Sequence, residues 1–341
     1  MERRILKNSS ILLMITVVAV LGLEYYFNTY GKEMQQEQMS GLKMLAYNTE
    51  QAEMSDEAEF EQQLCIELPQ GMTLDEVIIE NDYVKQLITI RIPDVEDNYF
   101  LEHPLLGRSN NINDLYMANG RIEITMDAVY EPECTVEDGR LYLDFLQPQD
   151  IYDKVVVIDA GHGGGAPGAI KQGIMEKDIN LAIVKELKEL LDKNDRNIGV
   201  YYTRTEDVNP TFEQRAQLGG KAGANLFISI HSNSTVDGLM SSYNGTEVMY
   251  DELKSEEGFS SKRLAQICLE EATEVMGSKN NGVTYGNSIY IIRNSEVPVA
   301  LVEVGFMTNQ QELNKLTSQD YQKKAAQGIY RAILRAIDEG F

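Results

Sequence analysis

The chain is expected to be an α/β protein, with a mainly parallel sheet flanked by helices. A small all-β domain and an N-terminal membrane-anchor helix are expected ahead of it. Three observations carry this. An apolar run behind a basic flank opens the chain, short alternating strands continue to about residue 150, and continuous apolar strands then alternate with helical stripes. The 341 residues exceed one compact domain and fit two modest ones plus appendages. A hydrophobic fraction of 43% is enough for real cores and excludes wholesale disorder.

At the N-terminus, Arg3, Arg4 and Lys7 precede the apolar run Ile11 to Leu23, extended by Tyr25, Tyr26 and Phe27. A basic flank before an apolar core is the layout of an export signal. The exit Leu23-Glu24-Tyr25-Tyr26-Phe27 is too bulky for a cleavage site, and no cysteine stands nearby for a lipid anchor. Ser9 to Phe27 is 19 residues, close to the ~20 that span a bilayer, with aromatics at the outer interface. Residues 1–28 therefore read as an uncleaved signal anchor, placing the rest of the chain outside the cytoplasm. The alternative is a cleaved signal and a secreted protein. Residues 29–62, polar and rich in Glu, Gln and Met, read as a tether.

Strands are expected at Gln63–Leu68, Glu76–Glu80, Gln86–Ile92, Arg121–Met126 and Arg140–Phe145. Clusters such as Ser109-Asn110-Asn111 and Glu137-Asp138-Gly139 separate them as turns. They imply a small β-sandwich-like domain over 63–150. The acid excess belongs to this half: 10 basic and 28 acidic side chains lie in 1–152, against 20 and 26 in 153–341, for a net −24. That balance argues against a nucleic-acid partner, since phosphate binding draws on Lys/Arg patches. It suits a spacer or targeting module. Cys65, Cys134 and Cys268 are too few and too scattered for a disulfide framework or a cysteine zinc site. His103, in Leu101-Glu102-His103-Pro104, reads as an ordinary surface histidine.

A second domain is expected over 153–341. Val155–Ile158 is a β-branched run of the kind found in strands buried on both faces. Asp178–Leu191 then carries Ile179, Ala182, Ile183, Leu187, Leu190 and Leu191 on one helical stripe. Further strands are expected at Gly199–Arg204, Leu226–Ile230, Glu247–Tyr250, Ser288–Ile292 and Val299–Val304. Helices are expected at Pro210–Ala222, about 258–276 and about 320–338. Sites in such folds gather at the carboxyl ends of strands.

Two of the three histidines occupy such positions, His162 in Asp159-Ala160-Gly161-His162-Gly163-Gly164 and His231 in Ile228-Ser229-Ile230-His231-Ser232-Asn233. Glu176 stands just before the first helix. Two imidazoles and a carboxylate, with the fourth position left open, are how proteins hold catalytic zinc. Singly, a histidine after a strand is usually structural and a glutamate at a helix start is usually a cap. The glycines are read as leaving an unobstructed rim. Glu303 interrupts the apolar strand Val299-Ala300-Leu301-Val302-Glu303-Val304. It reads as a strand-end acid with its head in solvent, or as a general base acting on water at the metal.

Taken in order, VVVIDAGHGG, GIMEKDINLAIVKEL, YYTRTED, ANLFISIHSNS, NGTEVMYD and PVALVEVGFMTNQQE resemble the zinc-dependent N-acetylmuramoyl-L-alanine amidases of bacterial cell walls. The resemblance covers about 154–340, some 55% of the chain. It implies Zn²⁺ held by His162, Glu176 and His231, with Glu303 as the catalytic glutamate. The implied substrate is peptidoglycan, cut between the lactyl group of N-acetylmuramic acid and L-alanine of the stem peptide. It also aligns Arg204 and Arg215 with family arginines, read as structural salt bridges in preference to substrate contacts.

Two departures are noted. Where relatives often carry Asp-Arg-Gly, this chain has Asn280-Asn281-Gly282-Val283. Only thirteen residues separate His231 from Gly245, too few for the plugging helix of some members, so an open site is expected. Rival readings are a zinc carboxypeptidase or deacetylase, and a non-catalytic wall-binding protein. A dinucleotide site at Gly161–Ala166 is disfavoured because Pro167 and Gly168 interrupt the helix that such a site needs at once.

Overall fold

A computed structural model describes residues 64–96, 98–107, 109–251 and 260–341. The expected anchor over 1–28 and tether over 29–62 lie outside the described residues. Among the described residues, no helix is long and apolar enough to cross a membrane. The chain divides into two compact units. One takes residues up to Asn81 with Leu87–Met126 and Pro132–Phe145, and the other takes Asp82–Gln86, Asp127–Glu131 and Leu146–Phe341.

The first unit holds β1 (Leu64–Glu67), β2 (Ile78–Asp82), β3 (Leu87–Arg91), β4 (Leu106–Gly107), β5 (Ile112–Ala118), β6 (Arg121–Met126), β7 (Glu131–Glu137) and β8 (Arg140–Leu146). They form two four-stranded sheets, ordered β4-β1-β8-β7 and β2-β3-β6-β5. The pairings of β1 with β4 and β8, and of β6 with β3 and β5, are antiparallel. Alternation holds where expected: Ile122, Ile124 and Met126 of β6, and Leu141, Leu143 and Phe145 of β8, are buried.

β5 and β7 were not expected, and the reason is positional. Both are edge strands, where one side needs no apolar partner, and Glu131-Pro132-Glu133 at the start of β7 masks its strand character. The turns that follow them were the usable signal. Asn119-Gly120 and Asp138-Gly139 all have positive φ (51°, 70°, 48° and 75°), the backbone that a tight two-residue hairpin turn demands. His103 stacks on Tyr99 and lies 3.3 Å from Glu67, as a surface histidine would.

The second unit is built on β9 (Lys154–Ala160), the small hairpin β10 (Ile170–Lys171) and β11 (Ile174–Met175), β12 (Ile198–Tyr202), β13 (Leu226–Asn233), β14 (Thr246–Tyr250), β15 (Asn280–Tyr285) and β16 (Val299–Phe306). Its helices are α1 (Glu176–Asp192), α2 (Phe212–Lys221), α3 (Ser261–Met276), α4 (Tyr290–Asn294), α5 (Gln310–Leu316) and α6 (Gln319–Asp338). The main sheet runs β12-β9-β13-β16-β14-β15. The first four strands are parallel, β14 is antiparallel to β16, and β15 is parallel to β14.

The sheet is therefore mixed, mainly parallel with one antiparallel pairing, β14 against β16. Residues 234–245 form no helix, so the chain leaving β13 returns from the same end and enters β14 antiparallel. A parallel entry would need a crossover helix. The strand expected at Ser288–Ile292 is the short helix α4, and the sixth strand is β15, which includes Asn280–Val283.

Side chains alternate across this sheet. Val156, Ile158, Ile228, Ile230 and Val302 meet apolar faces of α1, α3 and α6. Val155, Val157, Phe227 and Leu301 meet Ala216 and Leu218 of α2 and Ile291 and Ile292 of α4. Phe227 is fully buried, so Phe227→Ala should lower unfolding free energy by about 3–5 kcal/mol. Denaturant titration reads this directly, and a cost below about 1 kcal/mol would contradict so tight a core.

Candidate metal centre

β9 leads to β12 on one side, and the chain then returns to β13 on the other side of β9. The crevice between β9 and β13 is thus a topological switch point, where open α/β sheets bind ligands. His162 follows β9 by two residues, and His231 lies in β13. The first residue of α1, Glu176, reaches across to both. Its Oε2 is 3.2 Å from His162 Nε2 and its Oε1 is 2.9 Å from His231 Nδ1. One donor atom from each of the three residues lies within 4.8 Å of the others.

Glu176 is buried and does not cap its own helix. Its Oε2 accepts the Ala169 amide at 2.9 Å, and its Oε1 accepts the Ser232 amide at 3.2 Å and the Asn180 side-chain amide at 3.3 Å. Burial alone would raise its pKa. Hydrogen bonds from His162 and His231 outweigh burial and hold it far below the usual carboxylate range.

The glycines act differently from the expected rim. A Cβ on Gly161 would overlap the His231 ring, and one on Gly168 would overlap Glu176 and His162. They clear space for the ligand side chains themselves. His162 sits in the left-handed region (φ 61°), which a non-glycine residue occupies only when its surroundings hold it there.

Those surroundings are two buried arginines. Arg215 donates to Ala160 O (2.9 Å) and His162 O (2.7 Å) and pairs with the buried Asp159 at 2.5 Å. Arg204 donates to Ala160 O (2.8 Å), Gly161 O (3.0 Å) and Lys177 O (2.9 Å). The salt bridge expected of Arg215 is present. The hydrogen bonds of Arg204 go to backbone carbonyls instead, because the strand-end loop turns them inward. Burial opposes ionisation of Asp159, but Arg215 and the hydroxyls of Ser229 and Thr203 hold its pKa low.

Glu303 lies in β16 opposite His231 on one side and Glu247 of β14 on the other. Its Oε2 is buried and has no hydrogen-bond partner. Its pKa is pushed well above the usual range by burial and then by the carboxylates of Glu176 and Glu247. An orphaned carboxylate oxygen beside two imidazoles and a second carboxylate fits a site built around a divalent cation and water. His103 is no member of this cluster. Sequence reasoning missed three supports. Asp159 shows the same signal as Glu303, an acid in an otherwise apolar strand. Asn180 lies one helical turn after Glu176, on the same face. Glu247 carries no local signal and becomes relevant only through strand pairing.

A cavity of about 650 Å³ adjoins His162 and His231, walled by Asn209–Phe212 and Ser288–Ile291. The segment after β13 contributes no helix over it, as the short spacing predicted.

Fold and site together define a metal-site α/β hydrolase. The profile of the N-acetylmuramoyl-L-alanine amidase family matches residues 156–335, and the chain belongs to that family. It is 37% identical to the uncharacterized protein YqiI of Bacillus subtilis over 56% of this chain and 88% of that protein. It is 34% identical to the N-acetylmuramoyl-L-alanine amidase LytC of Bacillus subtilis, over 53% of this chain and 35% of LytC. A solved N-acetylmuramoyl-L-alanine amidase from Clostridium difficile 630 superposes with a TM-score of 0.51 at 32% identity, covering 55% of this chain and 98% of that one. The chain thus spans most of YqiI but about a third of LytC.

The steric argument at Gly161 is open to test. Gly161→Ala should displace the His231 ring and weaken divalent-metal affinity by about 10–100-fold, the range typical for groups that orient metal ligands. Circular dichroism should stay native. Unchanged affinity in a competition titration would show that the ring tolerates the methyl group.

Proposed function

We propose that this chain hydrolyses the amide between the lactyl group of N-acetylmuramic acid and L-alanine of the peptidoglycan stem peptide. His162, Glu176 and His231 hold zinc in this reading, and Glu303 is the general base and acid. The observation that carries it is the three-residue donor cluster at the switch point, with the unpartnered Glu303 oxygen on the neighbouring strand. When bound, zinc supplies Lewis-acid polarisation of the scissile carbonyl and acidifies water to a pKa of roughly 7.

The chain's own residues do the rest. Gly161 and Gly168 leave room for His231, Glu176 and His162, and Arg204 and Arg215 hold the loop that carries His162. Glu303 takes a proton from the attacking water as the new C–O bond forms. It then delivers that proton to the alanine nitrogen as the C–N bond breaks.

The organisation we propose is an anchor over 1–28, a tether over 29–62, an acidic β domain over 63–150 and the amidase domain over 153–341. The enzyme then works from the membrane on the adjacent wall. The basic flank and apolar run at the N-terminus support this placement. N-terminal sequencing should find the intact start in the membrane fraction, and a mature form beginning near residue 30 in the medium would remove the anchor.

Zinc analysis and mass spectrometry of digested muropeptides, with the full chain, test the chemistry. Wild type should free stem peptides with a new L-alanine amino terminus. Glu303→Ala should keep its zinc and lose ~10²–10⁴-fold in rate, whereas His162→Ala and His231→Ala should lose the metal. Bound zinc with glycan strands that keep their peptides would reject the substrate assignment. Full turnover by Glu303→Ala would reject the proton carrier.

A further inference from the structure

Phe212 opens α2 at 68% exposure, and Tyr290 opens α4 at 38%. Their ring centroids are 6.0 Å apart with planes inclined by 33°. Both line the cavity that His162 and His231 line. We propose that these two rings form a platform for the muramyl sugar, on the acyl side of the scissile amide. This rests on the amidase reading and adds which part of the substrate the cavity takes.

Neither ring is exposed through a loose backbone. Thr211, which precedes Phe212, caps α2. Its hydroxyl accepts the Gln214 amide at 3.1 Å, and its own amide donates to Gln214 Oε1 at 2.9 Å. The Tyr290 ring is backed by the Arg293 guanidinium, 5.8 Å from its centroid. Two large apolar rings held beside each other in water lose the solvation gain that burial would bring. Rigid placement means that a partner covering them costs little ordering.

The chemistry of the rings assigns the partner. A pyranose presents a flat C–H face with a polar rim, matching two rings flanked by Asn209, Thr211 and Ser288.

The test is calorimetric titration of the full chain with a peptide-free disaccharide of N-acetylglucosamine and N-acetylmuramic acid, a measurement that needs no bond cleavage. Phe212→Ala and Tyr290→Ala should each weaken binding by about ten-fold, as loss of an aromatic contact does. Phe212→Leu should weaken it as much as alanine, and Phe212→Trp should retain it. The chain has no tryptophan, so sugar binding should also change the emission of Phe212→Trp. Zinc content and Tm close to wild type establish that each variant is folded.

Equal disaccharide affinity in wild type and both alanine variants overturns the platform, as does no binding by wild type. So does loss of affinity in these variants for a sugar-free lactyl-L-alanyl peptide instead, which would place the peptide on the rings. Sugar binding that depends on both rings, with no cleavage of muropeptides by wild type, would leave the platform standing and remove the amidase reading.

Discussion

Glu176 is a carboxylate placed where a protein can keep a charge only by surrounding it with donors. Its two oxygens face two imidazoles, two backbone amides and the Asn180 side chain. Most of the local architecture follows from this. The hairpin β10–β11 delivers the chain to α1 so that the helix begins on this residue. Gly168 lacks the Cβ that would collide with it, and β13 ends in a geometry that turns the Ser232 amide toward it. A buried ionised group left with fewer partners would be neutralised or would disrupt the fold.

The second support is electrostatic as well. Asp159 and Arg215 are both almost fully buried, and removing either partner of such a pair costs about 3–5 kcal/mol. What the pair secures is position. With Arg204, it ties down the carbonyls of three consecutive residues, Ala160, Gly161 and His162, so a left-handed histidine is held without help from glycine. Lys177 extends the same scheme, donating to Gly164 O at 3.0 Å and pairing with Asp207 at 2.6 Å.

The mixed sheet has a chemical consequence. Because β14 enters antiparallel beside β16, its first residues stand at the same end as the last residues of β13 and β16. His231, Glu303 and Glu247 thus face one another across three strands. Glu247 accepts a hydrogen bond from Thr284 of β15. Burial pushes Glu303 toward its protonated form, and the carboxylates of Glu176 and then Glu247 add to that push.

The sequence by itself determined the strand–helix alternation of residues 153–341 and the chemistry-bearing side chains at strand ends. Apolar periodicity and the rarity of histidine are local properties that survive without a fold. It also pointed to Glu303, because an acid inside Val299–Val304 is costly in a buried strand unless it is paired or functional. The edge strands β5 and β7 were hidden because an edge needs little apolar pattern, and α4 resembled a strand because Ile289, Ile291 and Ile292 are β-branched. Only the tertiary structure decided that Gly161 makes room for His231, that Arg204 binds carbonyls, that Glu247 faces Glu303, and that Phe212 and Tyr290 share one cavity. Each joins residues far apart in the chain, and their juxtaposition comes from strand order and helix packing, which no local pattern encodes.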